Sequence, residues 1–275
     1  MKLNKDTPIF SIGSCFAREI RSSLLNRGYK VLPSHPLWNS RLYYNTYSIL
    51  YEFERVYAGL KTDERDICRI SRRSGHLAGW QEPSRRIFKA LTKESLMDLS
   101  RQLDVVMDAA IREASFFIIT PGMCESFKST LTGKIFCADP QYGNPKRVSS
   151  GWDTSVFHNV TKKENYANLM RIVSLINEYK SGATIVLTVS PVPLASSFTD
   201  WPVKKASDYA KKKLVDASRA VADAVRNVYY FPSFEYCMSV PETKRYKEKE
   251  PHRWHRIRAD IVKEVVRRFE RQFMV

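Results

Sequence analysis

Five short runs of the chain are apolar almost throughout, and longer stretches between them carry apolar residues every three or four positions. The runs "PIFSIGS", "YKVLPS", "SFFIIT", "ATIVLTVSP" and "VYYFPSF" read as strands near residues 9–13, 29–33, 115–120, 183–189 and 228–232. "CFAREIRSSLLNRG" reads as a helix ended by Gly28, and residues 44–59 show helical spacing at Ile49, Leu50, Phe53 and Val56. "KESLMDLSRQLDVVMDAAIREA", "KKENYANLMRIVSLINEYKSG", a basic segment at about 204–226 and "RADIVKEVVRRFERQF" complete the helices. Strands separated by helices predict an α/β fold around a mostly parallel, five-stranded, doubly wound sheet, because parallel neighbours need crossover connections. Sites in such sheets lie at the carboxyl ends of the strands. Ser14, "TPGMCESF", "SPVPL" and "FPSFEY" therefore share one rim. Residues 60–92 are polar and weakly periodic and read as an insertion or lid within a single domain spanning 1–275. Residues 128–160, with Gly, Asn and Pro around "DPQYGNPKRVSSGW", read as loops.

Composition narrows the class. A hydrophobic fraction of 43% supplies a core for one domain of 275 residues. No run of about 18 apolar residues is present, so no transmembrane segment is expected. The start, "MKLNKDTPIF", lacks the apolar stretch of a secretory signal, which makes the expected location cytoplasmic. The five cysteines are odd in number and form no CxxC pair, favouring reduced thiols over a disulfide framework. The formal charge is +16, from 45 basic and 29 acidic residues. Such a surface attracts anionic polymers, anionic membrane surfaces or anionic thioesters. No RNP, zinc-finger or basic-zipper signature accompanies it.

The chemistry centres on "IGSCFA". Gly13 permits close backbone approach, and Ser14 stands where the first strand passes into the first helix. Exposed N–H groups there suit an oxyanion or a phosphate. Serine is also a favoured N-cap, so nucleophile and cap stand as alternatives for Ser14. "GSCF" is not a P-loop, and no GxGxxG follows the strand. Cys15 is a rival nucleophile, since a helix N-terminus lowers a thiol pKa. A serine hydroxyl needs a base, and the histidines are His35, His76, His158, His252 and His255. His252 and His255 precede the last helix, in a loop able to return to the carboxyl rim. A zinc site of His252, His255 and a distant Cys237 is conceivable, but two histidines three apart are common, and no metal is expected.

"FSIGSCFA" resembles the signature of the GSCFA family, within the wider SGNH/GDSL hydrolase-like group. "YNTYSIL", "IITPGMCESF", "LTVSPVPL" and "YFPSFEY" resemble further blocks of that family, in the same order. The resemblance implies a flavodoxin-like three-layer α/β/α sandwich with Ser14 as nucleophile and its N–H in the oxyanion hole, beside Gly13. Gly122 and Glu125 fall in the third block as substrate-binding residues. The Asn usual there is missing, with Cys124 and Glu125 in its place, and Asn45 is the nearest amide for an oxyanion donor. The group's Asp-x-x-His reads His252-Arg253-Trp254-His255 here, so His255 is the expected base. His252 carries no fixed negative charge, and Glu250, Glu125 or Glu235 is left to support the imidazole.

The resemblance thus implies a serine esterase or acyltransferase that moves a short acyl group on an oxygen ester of a carbohydrate or glycoconjugate. It needs no cofactor, although an acyl-coenzyme A donor would serve a transferase. The contrasting expectation is a weak or inactive module of the same fold, binding an acidic glycan or nucleic acid through its basic surface.

Overall fold

The apolar runs form the expected strands, and the stretches between them form helices. The computed structural model describes residues 3–39, 41–70, 79–85, 88–137, 155–246 and 257–274. The first half of the chain contains β1 (Ile9–Gly13), α1 (Cys15–Asn26), β2 (Val31–Leu32), α2 (Pro36–Asn39) and α3 (Thr46–Tyr57). It continues through β3 (Cys68–Ile70), β4 (Gly79–Gln81), β5 (Lys89–Ala90), α4 (Lys93–Glu113), β6 (Phe116–Thr120), β7 (Glu125–Ser129) and β8 (Ile135–Phe136). The second half contains β9 (Ser155–Asn159), α5 (Lys162–Tyr179), β10 (Thr184–Thr188), α6 (Val203–Ala224) and β11 (Val228–Phe231). It ends with α7 (Ser233–Met238), α8 (Glu242–Arg245) and α9 (Ala259–Phe273).

The central sheet has the order β2-β1-β6-β10-β11, and every pair in it is parallel. Alternation along its strands divides the core in two. Phe10, Ile12, Phe117, Ile119, Ile185 and Leu187 face α3, α4 and α5, meeting Ile49, Phe53, Leu103, Ile111, Leu169 and Ile172. Ile9, Phe116, Ile118 and Val186 face the other way, onto Phe16, Ile20 and Leu24 of α1 and Phe269 and Phe273 of α9. Helices on both faces make the three-layer sandwich, and they explain why these strands are apolar without interruption. Among the described residues no helix is long and apolar enough to cross a membrane.

Two small antiparallel sheets flank this body. The order β3-β4-β5 occupies the polar segment after α3. The order β8-β7-β9 corrects the expectation of loops over 128–160, of which 138–154 lie outside the described residues. Strands of two to five residues with partly exposed faces leave too little periodicity to be seen in a sequence.

Arg85, just after β4, fastens the first small sheet to the helices. Its guanidinium makes paired bonds to Glu52 of α3, at 2.7 and 2.8 Å, and a third to Asp104 of α4 at 2.5 Å. Arg55 of α3 reaches Glu82 at 2.6 Å. Burial raises the pKa of Glu82, but Arg55, Arg85 and the hydroxyls of Ser84 and Ser100 outweigh it and hold the carboxyl at about 2. A depressed carboxyl pKa contributes stability above the ordinary range and loses it as pH falls. Arg85→Ala leaves Glu52 in the interior without its paired donor, while Arg55 still holds Glu82, and the expected cost is about 3–5 kcal/mol, read by urea denaturation near pH 7. In the wild-type protein the contribution of Glu82 should fade between its ordinary 4.5 and about 2.

Candidate functional site

The sheet order reverses between β1 and β6, whose connections leave in opposite directions, and an open α/β sheet opens its crevice at such a point. Gly13 ends β1 there with φ +144°, and a Cβ on it would lie 2.3 Å from the Thr120 carbonyl oxygen. No other residue fits both that angle and that contact. The pairing runs one residue further, as the Ser14 N–H donates to Thr120 O at 3.0 Å. The chain then turns into α1, and Ser14 Oγ accepts from the Phe16 N–H at 3.3 Å.

Ser14 is therefore the N-cap of α1, 1% exposed. Its hydroxyl hydrogen has no acceptor among the described residues. Gly122 lies against it from the loop after β6, where a Cβ would stand 3.3 Å from the Ser14 Cβ and 3.1 Å from the Ser190 Cβ. Ser190, just past β10, is fixed by its N–H to Pro121 O at 3.0 Å. Three strand ends thus converge on Ser14, Gly122 and Ser190.

A fourth element reaches the same spot from outside the sheet. Lys211 of α6 is 1% exposed and donates from Nζ to Gly122 O at 2.6 Å. Burial lowers its pKa to about 8, opposed in part by the nearby thiols of Cys15 and Cys124. Burial conversely raises the Cys15 thiol, and the Lys211 charge offsets only part of that, so Cys15 is not primed as a thiolate. The sequence offered a signal for Lys211. Ser207, Ala210, Leu214, Ala217, Ser218 and Val221 form the buried stripe of α6, and Lys211 lies on it at helical spacing. Read as part of a charge run, "AKKKL" concealed it.

Two residues expected to stabilise an oxyanion have other work. The Ser14 N–H is taken by Thr120. Asn45 caps α3 through Oδ1, which accepts from Ser48 N–H at 2.8 Å, and its two amide hydrogens go to Ser126 Oγ and Phe136 O, both at 2.7 Å. With every amide position engaged, Asn45 is a structural joint between α3 and the β8-β7-β9 sheet. Glu125 is also committed, accepting from Ser197 Oγ at 2.6 Å and Phe198 N–H at 2.8 Å, which ties down the loop after β10. Glu235 binds Tyr230 Oη and Arg219.

A family model for the GSCFA family matches residues 8–269. The chain belongs to the GSCFA family. No curated protein matches it. The match takes in the GSCFA segment itself, from Gly13 to Ala17, and every element of the convergence around Ser14.

The histidines of this GSCFA protein divide between structural roles and the undescribed segments. His158 pairs with Glu164 at 2.8 Å, beside the capping box that starts α5. His35 Nδ1 accepts from the Leu37 N–H in a local turn. His76, His252 and His255, with Glu250, lie outside the described residues. Cys237 sits in the hydrophobic core, where burial pushes its thiol up to about 12.

Gly13 and Gly122 should respond unequally to a methyl group. Gly13→Ala meets backbone at 2.3 Å and carries a positive φ, whereas Gly122→Ala meets side-chain carbons at 3.1 and 3.3 Å. Thermal denaturation should show Gly13→Ala losing about 3 kcal/mol or more and Gly122→Ala about 1 kcal/mol.

Proposed function

We propose that this GSCFA chain is a serine esterase or acyltransferase of SGNH type, acting on a short O-acyl ester of a carbohydrate or glycoconjugate. Ser14 Oγ adds to the ester carbonyl while His255 takes its proton. The tetrahedral species collapses, and the leaving alcohol receives that proton, leaving an acyl group on Ser14. Water, or a sugar hydroxyl in a transferase, then removes the acyl group by the reverse sequence. An acyl-coenzyme A thioester is the donor chemistry a transferase would take.

The observation that carries this reading is the position of Ser14. It stands at the switch point of a flavodoxin-ordered sheet, at the N-terminus of a 12-residue helix, with its hydroxyl hydrogen unclaimed among the described residues. A helix N-terminus favours the negative charge that forms during acyl transfer. The ester class and the SGNH placement rest on the motif resemblance.

A second reading has its own support in the 1% exposure of Ser14 and the charge of +16. It makes the chain a catalytically weak or inactive module that binds an acidic glycan or nucleic acid.

Labelling with a fluorophosphonate separates the two. The hydrolase should carry the label on Ser14, at a rate rising with pH through about 6.5 as the His255 imidazole becomes neutral. Ser14→Ala should abolish labelling and ester turnover while costing about 0.5–2 kcal/mol as a lost cap. His255→Ala should abolish turnover and His252→Ala should reduce it less. Salt-sensitive binding of an acidic polymer with no label on Ser14 would establish the module instead.

A further inference from the structure

Apart from Lys211, the buried cations of this molecule each have two or more partners among the described residues. Arg85 holds Glu52 and Asp104, and Arg55 holds Glu82. Lys213 donates to Asn159 Oδ1 and Val160 O and lies over the Tyr209 ring. Arg21 donates to Asn39 O and lies over Trp38. Lys211 has one hydrogen-bonding partner, the Gly122 carbonyl, and no carboxylate within ion-pair distance among the described residues. Two of its three ammonium hydrogens have no acceptor there. An ammonium taken from water with so little return is costly to the fold.

Its location gives that cost a use. The carbonyl it holds belongs to Gly122, which lies against Ser14. The positive end of α1 begins at the same serine. Cys15, the next residue, feels the Lys211 charge directly. The N–H of Ser14 and the amide of Asn45 are both engaged elsewhere. A negative charge forming at Ser14 would thus lie beside the glycine whose carbonyl holds this cation, and among the described residues the cation has two hydrogens without an acceptor and no carboxylate partner.

We infer that Lys211 is a catalytic residue of this site, donating hydrogen bonds to the oxyanion formed when Ser14 adds to an ester carbonyl. The inference rests on the hydrolase function proposed above. As the Ser14 Oγ–carbon bond forms, the carbonyl π pair moves onto oxygen, which accepts from Lys211 Nζ, and the serine proton goes to His255. On collapse the carbonyl re-forms, the bond to the leaving alcohol breaks, and His255 returns its proton to that alcohol. Lys211 keeps its proton throughout, so it must be charged to act. With its pKa lowered to about 8 by burial, it is charged at neutral pH and loses that charge just above.

The test is the rate of fluorophosphonate labelling of Ser14 across pH, followed by mass spectrometry on the full chain. In the wild-type protein the rate should rise through the imidazole range and fall again above about 8, the sign expected when the protonated lysine is the active form. Lys211→Met keeps the volume and removes the charge. It should label about 100-fold more slowly or worse, lose the descending limb and melt no lower than wild type. Labelling of Lys211→Met at the wild-type rate, or a wild-type rate that keeps rising beyond pH 9, would overturn the role of Lys211 and leave the serine hydrolase standing. If Lys211→Met does not fold, the wild-type profile alone decides. Absence of label on Ser14 at every pH would overturn the hydrolase itself, and this role with it.

Discussion

The contact between Gly13 and the Thr120 carbonyl governs the arrangement at the sheet rim. Without a Cβ at residue 13, β1 and β6 stay paired to their last residues, and the Ser14 N–H continues the ladder. That extra bond sets the angle at which the chain leaves β1 and makes Ser14 the N-cap of α1. Gly122 then closes against Ser14 so tightly that a Cβ there would force its neighbours to give by a few tenths of an ångström. A side chain at residue 13 would push β1 and β6 apart and dissolve the convergence.

The same contact explains how Ser14 can cap α1 and still serve as the proposed nucleophile. A cap uses the oxygen as an acceptor, while a nucleophile must give up its hydrogen. The bond from Phe16 is long, at 3.3 Å, and occupies one lone pair. It positions Oγ at the helix end, and the hydroxyl hydrogen has no acceptor among the described residues.

Buried charge takes two forms in this fold. Around Arg85 the charges are matched on opposing elements, so the network orients a small sheet on α3 and α4. At Lys211, among the described residues, the charge has no carboxylate partner and lies beside the strand ends. Under the proposed hydrolase reading, a pocket that receives negative charge has no place for a carboxylate, and the fold carries the desolvation cost there instead.

The strand and helix order, the five-stranded sheet and the place of Ser14 were legible in the sequence. These are local or periodic properties: a strand buried on both faces is a continuous apolar run, and a strand–turn–helix junction is written in consecutive residues. The short strands β7, β8 and β9 were not legible, because two to five residues with partly exposed faces carry too little periodicity, and β9 pairs with β7 across a long connection. Asn45 looked like an available donor until its amide met Ser126 and Phe136, 81 and 91 residues away. Lys211 looked like one of several surface lysines until α6 turned it onto Gly122, 89 residues distant. The sequence by itself determined that Ser14 and the loops after β6, β10 and β11 stand at the rim, since chain order and periodicity suffice for that. Tertiary structure decided which of those groups are spent on holding the fold, because the bonds that engage the Ser14 N–H, the Asn45 amide hydrogens and the Glu125 carboxylate come from distant segments.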